Sequence, residues 1–320
     1  MPSLLKVGLA DDTIATTVPS LLADYATLFK LRISTMVIIT AGAGFYLGCL
    51  SSGTSLFRLE GFAALLGVAV VTCGSSALNQ ALERRIDRLM HRTADRPMAT
   101  GRISMIHGLS LGFAATLLGS LFLAWTTNLL TGGLTLLTAI GYVTDYTPLK
   151  RIHRLNTFVG AFPGALPPLI GWTAARGKIE WPGVALFAIL FIWQFPHFMA
   201  IGWMYRQDYE RGGIRLASTL PDVDDAARST TVQAVFYSVL MMPVSLVPAA
   251  VHTTGHLYVV AAVLLDLGYL WYSIRFVHIL RDPLSVVSWR YASDLLRVSV
   301  IYLPLLLAIM MLDAKGRLIL

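Results

Sequence analysis

Long apolar stretches alternate with short polar connections along almost the whole chain. A membrane core about 30 Å thick requires roughly 20 mostly apolar residues in each helix that crosses it. Nine stretches meet this requirement, and the connections between them are too short to hold a soluble domain. We therefore predict an all-α integral membrane protein with nine transmembrane helices, at about 24–50, 60–82, 105–125, 127–145, 156–175, 182–206, 231–251, 256–279 and 294–313.

The lysines and arginines predict how these helices are oriented, because cytoplasmic loops are enriched in both residues. If the N-terminus is cytoplasmic, all but five of the 25 lysines and arginines lie inside. The five outside are Arg58, Arg176, Lys178, Lys315 and Arg317. We predict a cytoplasmic N-terminus, an external C-terminus, a short cytoplasmic segment at 1–23 and a single nine-helix domain at 24–320.

Composition supports a membrane protein and excludes several other classes. The chain is 56% hydrophobic and 13% charged, whereas soluble domains carry roughly 25% charged residues. The net charge is +7, but the basic residues are scattered among apolar spans. This distribution argues against a nucleic-acid-binding surface. Cys49 and Cys73 lie in apolar stretches, which excludes a disulfide framework and a CxxC metal site. We see neither a cleaved signal peptide nor an Arg-rich transit segment, and we expect the bacterial cytoplasmic (inner) membrane.

The first polar group lies at the end of the second predicted helix. Asn79, Glu83 and Asp87 are spaced i, i+4, i+8 and therefore share one helix face. Three oxygen-bearing side chains at a membrane interface suit Mg²⁺, which binds one or two carboxylates together with waters and phosphate oxygens. In the loop that follows, Arg92 and Arg96 can bind a diphosphate in a bidentate manner. A helix end with ordinary local ion pairs remains an alternative.

The second and third polar groups follow the fourth and sixth predicted helices. Pro148 is expected to end the fourth helix, while Lys150 offers a point charge for phosphate and Tyr146 a phenolic hydrogen bond. Both Lys150 and the neighbouring arginine could instead be ordinary cytoplasmic charges. Asp208 is the best candidate for a second metal carboxylate, whereas Glu210 is expected to be solvated.

Two ionisable residues and a proline cluster lie inside predicted spans. His197 could bind a heme iron, accept a proton or be a hydrogen-bonded structural histidine. For Asp266 we favour an inward-facing structural role. The prolines at 163, 167 and 168 leave carbonyl groups without helical partners, which membranes tolerate next to protein or a cavity, and they suggest a central cavity among the helices.

Together these features favour prenyl transfer from an isoprenyl diphosphate at the cytoplasmic face. A cavity in the membrane that is capped by carboxylates, Mg²⁺ and basic side chains suits a substrate with an apolar tail and a diphosphate head. The metal and the cations would stabilise the departing diphosphate, and aromatic faces would stabilise the allylic cation that remains.

Three segments resemble the UbiA superfamily of intramembrane prenyltransferases, and within it the branch that prenylates heme. They are NQALERRIDRLMHRTADRP at 79–97, YTPLKRIHRLNTFVGAFPGALPPLIGW at 146–172 and WQFPHFMAIGWMYRQDYERGGIRL at 193–216. Together they cover most of 79–216. The middle segment is specific to the heme branch, and nine spans match the UbiA prenyltransferase-like architecture.

The resemblance implies a reaction and a cofactor. Farnesyl diphosphate, heme B (protoheme IX) and water would give heme O and diphosphate, with Mg²⁺ as cofactor. Membrane lipid is the surrounding medium, and heme A synthase or the assembly of terminal oxidases are implied partners; no nucleic acid is involved.

The resemblance also implies roles for individual residues. The first metal–diphosphate motif is Asn79, Glu83 and Asp87; the diphosphate contacts are Arg92, Arg96 and Lys150; and the second motif contains Asp208. Glu83 stands where the superfamily usually has aspartate. The second motif is not a complete DxxxD, which suggests that Arg206 or Arg211 holds phosphate there.

Two alternatives remain open. The first keeps the chemistry and changes the acceptor to an aromatic acid or a chlorin, against which the 146–172 segment argues. The second is a polytopic transporter or heme carrier, whose charges should lie near the middle of the membrane. The clustering of charged residues at one membrane face favours an enzyme.

Overall fold

The computed structural model describes residues 20–316, and within that range the fold is helical, as predicted. The long helices are α1 (Leu31–Ser52), α2 (Leu59–Asp87), α3 (Met105–Thr126), α4 (Leu129–Ile140), α5 (Asn156–Arg176), α6 (Trp181–Met204), α7 (Val223–Ser245), α8 (His256–Phe276) and α9 (Val286–Leu312). Short helices lie at Leu21–Leu28, Pro97–Thr100, Thr147–Ile152, Arg206–Arg211 and Val247–Ala250, with 3-10 turns at Ala217–Thr219 and Val277–Arg281.

Seven helices in the described part of the chain are long and apolar enough to cross a membrane. The two long helices that do not meet this criterion are α4 and α5. The first is only 12 residues long because a π-helical turn at Gly141–Tyr146 follows it. The second contains three prolines that lower its hydropathy. The multi-pass architecture is therefore clear, whereas the number of nine spans stays a prediction.

The N-terminal part differs from the prediction. The predicted span at 24–50 begins only at Leu31, after the separate helix Leu21–Leu28, and the predicted boundary between 23 and 24 falls inside that helix. Asp24 is buried, whereas Leu21 and Leu22 are 70% and 81% exposed. The short helix is therefore anchored by a buried polar residue and also carries exposed apolar residues. Most of the predicted 1–23 segment, and the C-terminus, lie outside the described residues.

The prediction that Pro148 ends the fourth helix was wrong. The helical path continues through the π turn into the segment Thr147–Ile152, where Pro148 occupies the first turn. Pro148 lies just after the π turn, so its missing N–H falls where π-helical hydrogen bonding changes to α-helical bonding. The continuation carries Lys150 onward to the protein face.

Helices that follow one another in the chain pack together, and two further contacts close the bundle: α1 packs on α5, and α9 packs on α6. The α1–α5 crossing is very close. A Cβ atom added at Gly44 would lie 1.9 Å from the carbonyl oxygen of Pro168, and one added at Gly171 would lie 1.8 Å from that of Ala41. Small residues allow this backbone approach, as is typical of membrane helices.

One end of the bundle collects the predicted site segments. The start of α1, the end of α2, the segment after α4 and the segment after α6 are joined there by side-chain contacts. Ser104, Asn128 and Ser285 cap the starts of α3, α4 and α9 through their side-chain oxygens. These caps fix where the helices begin, and the connections between them bring the polar segments to the same face.

Candidate active site

Asn79, Glu83 and Asp87 form a buried column at the end of α2. Their exposed fractions are 0%, 7% and 0%. All three belong to one uninterrupted helix, so their spacing places them on one face. Buried polar side chains of this kind require partners, and the other segments supply them.

Each member of the column contacts a different cation. Lys30 Nζ, just before α1, donates to Asn79 Oδ1 at 2.5 Å. Lys150 Nζ, after α4, donates to Glu83 Oε1 at 2.7 Å. Arg96, in the α2–α3 loop, donates to both oxygens of Asp87 at 2.9 and 3.0 Å through one nitrogen. The structure therefore opposes a column of oxygen ligands with a row of three cations from three separate segments.

Hydroxyl groups and rings complete this arrangement. Asn79 Nδ2 donates to Thr147 Oγ1 at 3.0 Å, and Lys30 Nζ donates to the Tyr142 hydroxyl at 3.2 Å. Lys150 Nζ also lies 4.3 Å from the centroid of the Tyr146 ring. Sequence analysis did not select Lys30, Tyr142 or Thr147. Lys30 precedes an apolar span like any topology-determining lysine, and nothing local indicates a partner 49 residues away.

The charges of the two lysines respond differently to this environment. Burial, together with the positive charge of Arg96, lowers the pKa of Lys30 to about 7. Burial also opposes the charge of Lys150, but Tyr146 and Glu83 outweigh it and raise the pKa of this lysine above its ordinary value. Lys150 is therefore a firmly charged group, and Lys30 is the more easily neutralised one.

Asp208 holds the loop that carries Arg92 and Arg96. Its carboxylate accepts hydrogen bonds from the backbone N–H groups of His91 at 3.0 Å and Arg92 at 3.3 Å, and it forms an ion pair with Arg211. Burial alone would raise the pKa of Asp208, but Arg211 and the two backbone donors together lower it. The carboxylate is thus kept ionised at the edge of the column.

Arg92 is held by aromatic side chains of the same segment. Its guanidinium lies 5.2 Å from the Tyr205 ring centroid and 5.7 Å from that of Tyr209, and it donates to the Tyr209 hydroxyl at 3.3 Å. Such stacking fixes the direction of the guanidinium. Glu210 is exposed, as predicted.

Two predicted site residues lie apart from the column. His197 Nδ1 is 2.7 Å from Ser299 Oγ, and its ring stacks on Trp193 between α6 and α9. Arg206 lies over the Trp203 ring, donates to the Pro283 carbonyl at 3.3 Å and lines a pocket of about 200 Å³. Among residues 20–316, no hydrogen bond or ion pair connects either of them to Asn79, Glu83 or Asp87.

The donor atoms of the column suit a hard cation. No group of three or more His, Cys, Asp or Glu side chains in the described range could hold a metal by itself. The column instead offers two carboxylates and one amide oxygen, and Mg²⁺ completes such a set with waters and phosphate oxygens. The residues therefore fit Mg²⁺ bound together with a phosphate-bearing ligand.

Comparisons with known proteins identify the family of this chain. The UbiA prenyltransferase family matches residues 35–292. Protoheme IX farnesyltransferase from Koribacter versatilis (strain Ellin345) is 45% identical over 296 residues, which are 92% of this chain and 94% of the relative.

Solved structures share the fold at low sequence identity. One, from work on digeranylgeranylglyceryl phosphate synthase in membranes, has a TM-score of 0.70 at 17% identity and covers 91% of this chain and 98% of its own. A UbiA homolog from Archaeoglobus fulgidus, bound to GPP and Mg²⁺, has a TM-score of 0.54 at 14% identity and covers 90% and 99%. The helical arrangement, the polar column at one face and the family match lead to one conclusion: this chain belongs to the UbiA prenyltransferase family.

Proposed function

We propose that this chain is a protoheme IX farnesyltransferase, which transfers the farnesyl group of farnesyl diphosphate to a vinyl group of heme B with addition of water. The observation that carries the proposal is the column of Asn79, Glu83 and Asp87 facing three cations, in a chain 45% identical to a relative of that name. The products are heme O and diphosphate.

Two groups of residues act on the diphosphate of the substrate. Arg92, Arg96 and Lys150 hold the diphosphate, since guanidinium and ammonium groups bind phosphate oxygens. Asn79, Glu83 and Asp87 would hold Mg²⁺, which when bound neutralises charge on the departing diphosphate. The new carbon–carbon bond forms between a heme vinyl carbon and the farnesyl group as the bond to diphosphate breaks. Water then supplies the hydroxyl group and a proton is released.

Two tyrosine rings lie beside the column and suit the allylic end of the farnesyl chain. The Tyr142 and Tyr146 rings are 5.7 Å apart, and Gly160 of α5 packs directly on Tyr146. Aromatic faces stabilise an allylic cation, and we propose that the allylic end of the chain lies against these rings.

The remaining predicted residues have different support. Asp208 and Arg211 remain proposed members of the second motif, and the contacts of Asp208 with the loop give it a positioning role as well. His197 and Arg206 have no described contact with the column, so we assign them no step on the diphosphate side. His197 stays a candidate for the heme side.

We further propose a location and a place in metabolism. The prediction from positive charges puts the column at the cytoplasmic face of a bacterial inner membrane, with residues 24–320 forming one domain. Heme O formation would supply heme A synthase or terminal oxidases.

The proposal predicts that the purified protein, incubated with heme B, farnesyl diphosphate and Mg²⁺, makes a heme that carries one farnesyl group and one added water. Mass analysis of the extracted hemes measures this product, and EDTA should abolish it. Asp87→Asn should reduce product formation by about 100-fold, because such ligand and preorganised charge contributions are worth two orders of magnitude or more.

Asp294→Asn is the matched control, since Asp294 is a partly exposed carboxylate that pairs with Arg275 and Arg297 away from the column. It should keep wild-type activity. If heme stayed unchanged and farnesyl diphosphate labelled another compound, that compound would be the acceptor instead of heme. No labelling of any acceptor by a folded preparation would favour a binding or transport role.

A further inference from the structure

We infer that Lys30 is a further diphosphate-binding residue, fixed in the site by the N-terminal helix Leu21–Leu28. This inference rests on the proposed function and adds a residue that the sequence motifs do not contain. It is supported by the backbone conformation of Lys30, by the contacts that enforce this conformation, and by the place that its ammonium group occupies.

The backbone of Lys30 adopts an unfavourable conformation. Its φ and ψ angles are 48° and 49°, in the left-handed region. Within residues 20–316, the other non-glycine residue with positive φ is His252, at the opposite end of the bundle. A lysine has no intrinsic preference for this region, and such strain persists when surrounding structure enforces it, frequently at functional sites.

The contacts of the N-terminal helix enforce the turn. Asp24 is 5% exposed and receives hydrogen bonds at 2.8–3.0 Å from two nitrogens of Arg102, which also donates to the Asp95 carbonyl beside Arg96. Gln80, next to Asn79, donates to the carbonyl of Thr27 at 2.7 Å. The helix is therefore tied both to the Arg96 loop and to α2.

The turn directs the Lys30 side chain into the column. Its Nζ contacts two neutral oxygens, Asn79 Oδ1 and the Tyr142 hydroxyl. Lys150 and Arg96 each form an ion pair, with Glu83 and Asp87, but Lys30 forms none with any carboxylate in the described part of the chain. Keeping the positive charge on a part-buried ammonium group without a counterion costs free energy, and a bound anion would remove that cost.

The charge balance of the site indicates which anion binds there. The column has two carboxylates, and three basic side chains face it. Arg92 adds a further positive charge on the same loop, and the Asp208–Arg211 ion pair is balanced, so basic groups outnumber carboxylates at the column. A diphosphate bound with a divalent cation remains anionic and suits this excess. The Lys30 ammonium has three donors and can give one to a phosphate oxygen.

The test is binding of farnesyl thiodiphosphate, an analogue that reacts slowly, with Mg²⁺ and without heme, by titration calorimetry on the full chain in nanodiscs. Lys30→Met and Lys30→Gly should each weaken binding by at least about tenfold, the loss expected for a hydrogen bond to a charged group. Lys30→Arg should stay within about threefold of wild type. Arg32→Met, which removes an exposed charge two residues away, should bind like wild type.

The glycine variant separates charge from backbone conformation, because glycine adopts the left-handed region without strain. Wild-type binding by Lys30→Gly would mean that Lys30 only forms the turn, and the inference would be overturned. It would also be overturned if Lys30→Met left analogue binding unchanged and raised only the KM for heme. Since this assay omits heme, a protein that binds the analogue but makes no heme O would contradict the proposed acceptor and leave the Lys30 result valid.

Discussion

At the scale of single residues, the site is a set of interlocked charges rather than a set of free ligands. Lys150 and Glu83 are 15% and 9% exposed at the side chain and form one ion pair. Arg96 and Asp87 form the next, one helical turn further along α2. In a buried pair, loss of one partner leaves an uncompensated charge, which costs more free energy than loss of both.

We therefore predict that Lys150→Met lowers the free energy of unfolding by about 3 kcal/mol, and that the double variant Lys150→Met/Glu83→Gln recovers most of this loss. Thermal unfolding in nanodiscs, without substrate, measures both effects. Lys178→Met is the control, because Lys178 is 61% exposed and pairs with Glu180 on the surface, where a pair contributes about 0–1 kcal/mol. Equal destabilisation by the single and double variants would show that Glu83 does not depend on Lys150 for its charge.

At the scale of helices, the α1–α5 crossing sets the distance between the segments that carry the site. α1 begins directly after Lys30, and α5 carries Gly160, which packs on the Tyr146 ring. At the crossing the two helix backbones approach so closely that Gly44 and Gly171 each leave no room for a Cβ atom. The obstacles are carbonyl groups of the opposite helix, which cannot rotate away as a side chain could.

Gly171→Ala should therefore force the two helices apart, destabilising the protein by about 1–3 kcal/mol or more and reducing activity. Gly133→Ala in α4 is the control, since no atom lies within 4 Å of a Cβ added there. The unfolding temperature and the initial rate of product formation, measured side by side for both variants, test this prediction. A Gly171→Ala protein with wild-type values for both would mean that the crossing relaxes without consequence.

At the scale of the whole molecule, the polar segments gather at one end of the bundle. The exposed Arg154 lies at that end, after the segment of Lys150, whereas Lys178 lies between α5 and α6 at the other end. Because cytoplasmic loops are enriched in lysine and arginine, the end that carries Arg154 is predicted to face the cytoplasm. The native thiols interfere little, because Cys49 is buried and Cys73 is only partly exposed.

This orientation predicts opposite labelling of two cysteine variants by a membrane-impermeant maleimide. In intact bacterial spheroplasts Lys178→Cys should react and Arg154→Cys should not, while inverted membrane vesicles should give the reverse. The unsubstituted protein gives the background from its own thiols. The reverse pattern would place the active site outside the cell and refute the predicted topology.

Much of the fold and part of the site could be predicted from local patterns. The spacing of Asn79, Glu83 and Asp87 on a continuous helix is a local property, and it predicted a column on one face. The apolar stretches predicted the helices, with errors where local signals were ambiguous. The first span was predicted to begin at 24, inside what is a separate short helix, because sequence does not distinguish an apolar residue at the membrane surface from one inside it. Pro148 resembled a helix end because a π turn was not foreseeable.

The sequence by itself determined the membrane class, the approximate helices, the family and the column of oxygen-bearing side chains, because hydrophobic length and helical spacing act between residues close in the chain. Tertiary structure alone decided which cation meets which oxygen, since Lys30, Lys150 and Arg96 approach the column from segments 9 to 67 residues distant. It also decided that His197 and Arg206 have no described contact with the column, because the packing of α6 on α9 and the turn after α6 direct them elsewhere. Such pairings depend on how helices cross and where the chain turns between them, and no local pattern encodes them.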